Sequence, residues 1–264
     1  MGTLLNRCLE SIFQKSLYPN YEVIVIDNGS NEKDTAKVID NWTDREPNRF
    51  KCYLFDMPFN YSKINNYAVG KAQGEYLLFL HNDTEVITPE WIDAMVEQAQ
   101  RVSIGAVGAL LLYPNNSIQH AGVIIGVCGI AGHSHRYFPF TTTNYFGQTK
   151  TINNFSAVTG ACLMCRRELF DIVGGFNENL AGAYNDVELC LKMLDKGYRN
   201  IYTPHVVLYH NESKSWGYKD NSDKQVGFIK KREYMQTKWK IFIIHDPCYS
   251  PNLTREREDY TINV

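Results

Sequence analysis

The chain has 264 residues, 44% of them hydrophobic, with 27 basic and 29 acidic side chains and a formal net charge of −2. That length supports one large domain or two small ones with a proper core. The near-neutral charge gives no electrostatic footprint for nucleic acid, and no apolar run approaches the ~20 residues that span a bilayer. The opening "MGTLLNRCLE" does not read as a secretory leader. The cysteines number seven, and an odd, scattered set reads as free thiols in a reducing compartment. Cys162 and Cys165 have C-x-x-C spacing, but no second pair completes a zinc site, and core packing accounts for them.

Leu5, Cys8, Leu9 and Ile12 recur at helical spacing and predict an opening helix. "YEVIVID" predicts a buried strand, closed by the turn chemistry of "NGSN". Ala36, Val38, Ile39 and Trp42 predict a second helix, and "KCYLF" a short strand. "YSKINNYAVGKAQG" predicts a helix ended by Gly74. "EYLLFL" predicts a strand buried on both faces, yet the abruptly polar "HNDTE" follows it. Thr88 as N-cap and Pro89 as first residue open a helix through "TPEWIDAMVEQAQR", and "GAVGALLLY" is strand-like.

Strands and helices thus alternate to residue 113, which implies a parallel sheet covered by helices. In such sheets ligands bind beyond the carboxyl ends of the strands. Further on, "QHAGVIIG" and "SAVTGACLMC" predict strands, "NDVELCLKMLDKG" a helix, and "NIYTPHVVLYH" one or two short strands. "DKQVGFIKKREYMQTKW" predicts an exposed helix, and the Pro-rich "DPCYSPNLTREREDY" an extended tail packed on the body. "GK" at Gly70 and Lys71 lacks the rest of a P-loop, and no G-x-G-x-x-G follows a strand.

Three polar clusters fall where such a sheet would bind a ligand: "DNGS" (Asp27 to Ser30), "HNDTE" around Asp83, and "AYNDVELCLK" followed by "VVLYHNES". Each member has a structural alternative. Asp27 suits a turn before Asn-Gly, Asp83 a turn before the next helix, Asp186 a helix N-cap, and His210 a hydrogen-bonded strand end. Gly160 in "VTGA" fits a bend in a strand as well as a close backbone approach to a ligand. N-x-S/T sequons at Asn28, Asn82 and Asn211 lie within these clusters, so a compartment without N-glycosylation suits the chain better. "GHSH" sets His133 and His135 on one face of a possible strand. With His120 they could form a metal site, but an acceptor-region or structural place suits them better.

Four segments in order carry a resemblance: "CLESIFQKSLYPNYEVIVIDNGS", "NNYAVGKAQGEYLLFLHNDTEV", "VTGACLMCRRELFDIVGGFNENL" and "YNDVELCLKMLDKGYRNIYTPHVVLYHNES". The chain resembles the family 2 glycosyltransferases, including members that build bacterial surface polysaccharides. The resemblance implies the GT-A fold: an α/β, Rossmann-like, mixed and mostly parallel sheet with helices on both faces, here with a C-terminal helix and extended tail. Residues 1–215 would form that domain, with a nucleotide-binding half (1–113) and an acceptor-binding half (114–215). Residues 216–264 would pack on it.

The resemblance implies an inverting, metal-dependent glycosyltransferase of hexosyl or deoxyhexosyl type. Its partners would be a nucleoside diphosphate sugar donor and a glycan or lipid-linked acceptor hydroxyl. Asp186 would be the general base. Asp27, Asn28, Ser30, Asn82, Asp83 and Gly160 would meet the donor. Asp83 and His210 would hold a divalent cation, Mn²⁺ or Mg²⁺, with imidazole favouring Mn²⁺. His133 and Glu188 would lie in the acceptor region. The implied location is the cytoplasm, extending to the inner face of the membrane.

Two departures stand out. His81 and Asn82 occupy the first two positions of the family's D-x-D motif, which weakens both as ligands and leaves Asp83 to act without a second carboxylate. The family also begins with a strand ahead of the helix "LLNRCLESIF", and none precedes it here. A vacant lane beside "YEVIVID" is therefore expected. It would invite self-association, or leave a non-catalytic nucleotide- or glycan-binding relative.

Overall fold

The computed structural model describes residues 2–142, 145–211 and 222–263. The expected boundary near residue 215 and the end of "HNES" lie outside the described residues. In chain order, α1 (Gly2–Lys15) leads to β1 (Val23–Asp27), α2 (Lys33–Arg45), β2 (Phe50–Leu54), α3 (Tyr61–Val69) and β3 (Tyr76–Leu80). Next come β4 (Thr84–Val86), α4 (Trp91–Ala99), β5 (Ile104–Leu112), β6 (Ile118–His120), β7 (Val123–Ile125) and β8 (Ala131–His133). The chain continues through β9 (Asn153–Phe155), β10 (Cys162–Arg166), α5 (Arg167–Ile172), α6 (Asn185–Asp195) and β11 (Arg199–His210), and then α7 (Ser222–Lys238) and α8 (Lys240–Ile244).

The main sheet has seven strands in the order β3-β10-β5-β11-β4, with β6 on β5 and β9 on β11. It is mixed, as expected, but antiparallel pairs outnumber parallel ones among the described strands. β10 runs antiparallel to both its neighbours and β4 antiparallel to β11, while β5 and β11 run parallel. The reason is the long excursion between β5 and β10, which returns the chain without the crossover helix that parallel neighbours require.

β1 and β2 form a separate two-stranded parallel sheet. The second edge of β1 pairs with no described strand, and every residue of β1 is only half-buried although four of the five are Val or Ile. Among the described strands, β1 and β2 thus stand apart from the main sheet. α1 spans the division: Cys8 and Ile12 pack with the main sheet, Leu5 and Leu9 with Trp42 and Phe50 beside β1. The Gln73 amide donates to Glu22 Oε1 at 2.6 Å and ties the entry of β3 to that of β1.

Nine consecutive buried residues make β5 the centre of the molecule. One face of the sheet packs on α1 and α4 through Ile12, Trp91 and Met95. The other packs on α3, α5, α6 and α7 through Val69, Phe170, Leu191 and Met235. Cys162 and Cys165 point to opposite faces of β10, one in each core, so their spacing forms neither a disulfide nor a metal clamp. Burial raises both thiols, Cys165 to about 12. The tail buries Tyr249, Leu253 and Tyr260 against β6, β7 and Phe155.

Some boundaries differ from the sequence reading. α3 ends at Val69 with Gly70 as its C-cap, so Gly74 lies beyond the helix. α4 begins at Trp91 after Glu90, and Thr88 is not its cap. The Thr88 hydroxyl instead accepts from the Val207 amide at 2.9 Å, a tertiary bond that outcompetes the local one. "QHAGVIIG" divides into β6 and β7, and "SAVTGACLMC" is strand only from Cys162.

Asn200 staples the layers together. Its Oδ1 accepts from Ala106 N, and its Nδ2 donates to the carbonyls of Ser156 and Cys190, all within 3.0 Å and fully buried. Each buried group left without a partner costs about 1–3 kcal/mol. Asn200→Leu is therefore expected to lose at least about 3 kcal/mol in urea unfolding, and a loss below about 1 kcal/mol would contradict this role.

Candidate active site

β3 ends at Leu80, and the start of β10 lies beside it because Cys162 pairs with Leu80. The His81 amide accordingly donates to the Ala161 carbonyl at 3.0 Å. The chain turns through His81–Asp83, with Thr84 Oγ1 donating to the His81 carbonyl at 2.8 Å. β4 then pairs with the end of β11 in a register that sets Thr84 opposite His210. Asn211 closes the arrangement by donating its backbone N–H to the Asp83 carbonyl at 3.0 Å.

This register brings Asp83 and His210 together. Both are buried, and His210 Nε2 lies 3.2 Å from Asp83 Oδ1. His81 joins them: one ligand atom from each of His81, Asp83 and His210 lies within 4.8 Å of the others. His81 thus belongs with the cluster from which its departure from D-x-D had separated it. Burial raises the Asp83 carboxyl, but the His210 hydrogen bond and charge interactions with His210 and His81 outweigh burial and leave it below the ordinary value.

A carboxylate and two imidazoles form a donor set for a borderline divalent cation. Two ligands in adjacent positions on an ion, at bonds of about 2.1 Å, lie about 3 Å apart, which the 3.2 Å contact matches. His210 Nδ1 is buried without a hydrogen-bond partner among the described residues, so Nε2 is the nitrogen this geometry commits to the cluster. The residues present fit such an ion.

Asp186 opens α6, where negative charge suits the helix N-terminus. Its Oδ1 accepts from the Val187 amide and its Oδ2 from the Gly160 amide, each at 2.8 Å. Tyr184, just upstream, holds φ 61°, a strained left-handed conformation for a tyrosine that costs about 1–3 kcal/mol. Gly160 itself makes a close approach within the protein. A Cβ there would meet Tyr61 Oη at 2.8 Å and the Asp186 Cβ at 3.3 Å. Tyr61 donates its hydroxyl to the Gly160 carbonyl at 3.1 Å and stands edge-on to His81, with ring centroids 5.7 Å apart. Tyr61 therefore bridges Gly160, the partner of Asp186, and His81. Sequence reasoning missed it, because a tyrosine opening an amphipathic helix carries no distinctive spacing.

Asp27 ends β1 and accepts from the Ser30 amide at 2.9 Å, with Gly29 turning at φ +79°. Asn28 is a staple: its Nδ2 donates to the carbonyls of Phe55 and Met57, both at 2.8 Å. Ser30 and Asn82 are exposed. Glu188 is fully buried and engaged elsewhere. It accepts from Tyr234 Oη at 2.6 Å, Lys238 Nζ at 2.9 Å and Asn177 Nδ2 at 3.2 Å, with Lys192 Nζ at 3.7 Å. This ion cluster fastens α7 to α6. His133 Nδ1 lies 2.8 Å from the Gln119 carbonyl, and His133 stands edge-on to His120. Among the described residues, neither histidine nor His135 belongs to a group that could hold a metal ion.

The profile of glycosyl transferase family 2 matches residues 2–174. The chain belongs to that family. Among its relatives, the protein y4gI of Sinorhizobium fredii is 44% identical over 261 residues, which are 98% of this chain and 29% of that protein. The O-antigen biosynthesis protein RfbC of Myxococcus xanthus is 38% identical over 265 residues, 97% of this chain and 20% of that protein. The chain thus spans less than a third of the length of these relatives. The mannosyltransferase PcManGT from Pyrobaculum calidifontis, solved in complex with GDP-Man and Mn²⁺, superposes with a TM-score of 0.64 at 18% identity, covering 91% of this chain and 61% of that one. This family member therefore has the GT-A fold.

The Glu188 cluster yields a pH prediction. Burial raises the Glu188 carboxyl, but bonds from Tyr234 and Lys238 and the charge of Lys192 outweigh burial and bring it below 4.5. A depressed carboxylate contributes stability above its unfolded pKa and loses it as pH falls through the folded one. The Tm gap between wild type and Glu188→Gln is therefore expected to narrow as pH drops from about 7 to about 3, and a gap independent of pH would contradict the cluster's role.

Proposed function

We propose that this chain is an inverting, metal-dependent glycosyltransferase that moves a hexosyl or deoxyhexosyl group from a nucleoside diphosphate sugar to a hydroxyl of a glycan or lipid-linked acceptor. The observation that carries this reading is one connected polar constellation at the strand ends, with Asp186 bound to Gly160 and the His81–Asp83–His210 group on the far side of Tyr61. The GDP-Man and Mn²⁺ in the mannosyltransferase neighbour and the O-antigen role in the name of RfbC support it.

An acceptor hydroxyl is a weak nucleophile until a base takes its proton. Asp186 is the candidate. Its two oxygens are oriented by the amides of Gly160 and Val187, so the carboxylate is aimed before the acceptor arrives. Attack from the Asp186 side, opposite the departing diphosphate, inverts the anomeric centre. His81, Asp83 and His210 would hold the cation, and imidazole ligation favours Mn²⁺ over Mg²⁺. When bound, that cation would neutralise the charge growing on the leaving diphosphate. Asp27, Asn28 and Ser30 would meet the nucleoside, with Asn82, Asp83 and Gly160 nearer the transferred group. Residues 1–113 would serve the donor and 114–215 the acceptor, with His133 on the acceptor side. No helix among the described residues is long and apolar enough to cross a membrane. A cytoplasmic protein working at the inner membrane face would suit a lipid-linked acceptor.

The divided sheet favours a second reading. β1, which presents Asp27, has no neighbour on one edge among the described strands, and this would weaken the donor pocket enough to leave a nucleotide- or glycan-binding protein without turnover. Release of nucleoside diphosphate from GDP-mannose and UDP-GlcNAc with Mn²⁺ separates the two. Wild type is expected to turn over, and Asp186→Asn to lose at least about 100-fold in kcat with nucleotide affinity unchanged. Equal turnover by Asp186→Asn would remove the base assignment, and tight nucleotide binding without wild-type turnover would favour the second reading.

A further inference from the structure

Next to Gly160, Thr159 is held by a histidine that is not one of the three residues of the metal-fitting group. His120, at the end of β6, is fully buried. Its Nδ1 lies 2.8 Å from the Ala109 carbonyl oxygen, and the Thr159 amide meets its Nε2 at 3.2 Å. These partners fix the tautomer. A carbonyl only accepts, so Nδ1 carries the proton, and an amide N–H only donates, so Nε2 offers its lone pair. A second proton would set N–H against N–H at Nε2. Burial, and then the charge of neighbouring His133, hold the ring well below the ordinary 6.5, so the neutral form persists.

The next residue along is Gly160, whose amide is aimed at Asp186 Oδ2 at 2.8 Å. A glycine has wide backbone freedom, so its own conformational preference does not hold that aim. The restraint comes from both sides: Thr159 N–H is anchored on His120, and the Gly160 carbonyl on the Tyr61 hydroxyl. His120 is itself anchored to β5, whose nine residues are all buried.

We propose that His120 is a positioning residue for Asp186: by accepting from the Thr159 amide, it fixes the backbone that directs the Gly160 N–H onto the carboxylate. The consequence for turnover rests on the reading of Asp186 as base, while the positioning itself does not. The orientation of Asp186 then depends on the acceptor nitrogen of one buried imidazole.

Two substitutions separate this from a merely structural role. His120→Gln can place an amide oxygen near the former Nε2 and keep accepting from Thr159. His120→Asn keeps a donor near Ala109 and withdraws the acceptor. The readout is the Gly160 amide proton in a TROSY spectrum, expected downfield in wild type through its carboxylate bond, with Asp186→Ala as the unbonded reference. The proton is expected to stay downfield in His120→Gln and to move toward the reference in His120→Asn. In nucleoside diphosphate release from GDP-mannose or UDP-GlcNAc, kcat is expected to fall about 10–100-fold in His120→Asn at unchanged donor KM, and His120→Gln to stay within about threefold.

A Gly160 proton unmoved in His120→Asn overturns the proposal, and so does an equal effect of the two variants. If neither folds, Tyr61→Phe reads the other restraint on the same residue: a shifted Gly160 proton supports the held backbone, and an unshifted one overturns it. Full turnover by Asp186→Asn together with a shifted proton in His120→Asn would refute the base and leave the positioning standing.

Discussion

The pairing of β4 with the last three residues of β11 is the constraint on which the site depends. β3 delivers His81–Asp83 to the end of the main sheet, but a turn alone leaves those side chains without a fixed direction. Setting Thr84 opposite His210 buries Asp83 against an imidazole and closes the turn with Asn211. A slip of one residue would send the His210 side chain to the opposite face and dissolve the cluster. The long β11 can hold this register because it also pairs with β5 along most of its length.

The same economy appears around Asp186. Asp186 is placed by the start of α6, yet its orientation is set from the stretch ahead of β10 and from β6, through Gly160, Thr159 and His120. Tyr61, from α3, touches both Gly160 and His81. Four separate stretches of chain thus converge around Asp186 and its partners. The α6–α7 ion cluster around Glu188 strengthens the outer layer.

Much of this was legible in the sequence where local chemistry decides structure. Apolar periodicity located α1, β1, α2, β2, β3, β5 and α6, and the polar clusters single out Asp83, Asp186 and His210. What remained illegible depends on contacts distant in sequence. β4 is three residues long, and only its partner makes it a strand. Thr88 reads as a helix cap because nothing local reveals Val207. Nothing local reveals that both amide protons of Asn28 are taken by carbonyls nearly thirty residues away. His81 was discounted because a histidine stood where the family pattern places a carboxylate, yet its fitness as a ligand appears once His210 stands beside it. The long loop between β5 and β10 concealed the antiparallel course of β10.

The central claim is that His81, Asp83 and His210 form the cation site of a sugar-transfer centre. A crystal grown with Mn²⁺ and GDP or UDP, with anomalous data collected at the manganese edge, tests it most directly. The account predicts an anomalous peak about 2.0–2.3 Å from an Asp83 carboxylate oxygen and from nitrogens of His210 and His81, with the diphosphate completing the coordination. A bound nucleotide whose manganese lies elsewhere, or none between these three side chains, would contradict it.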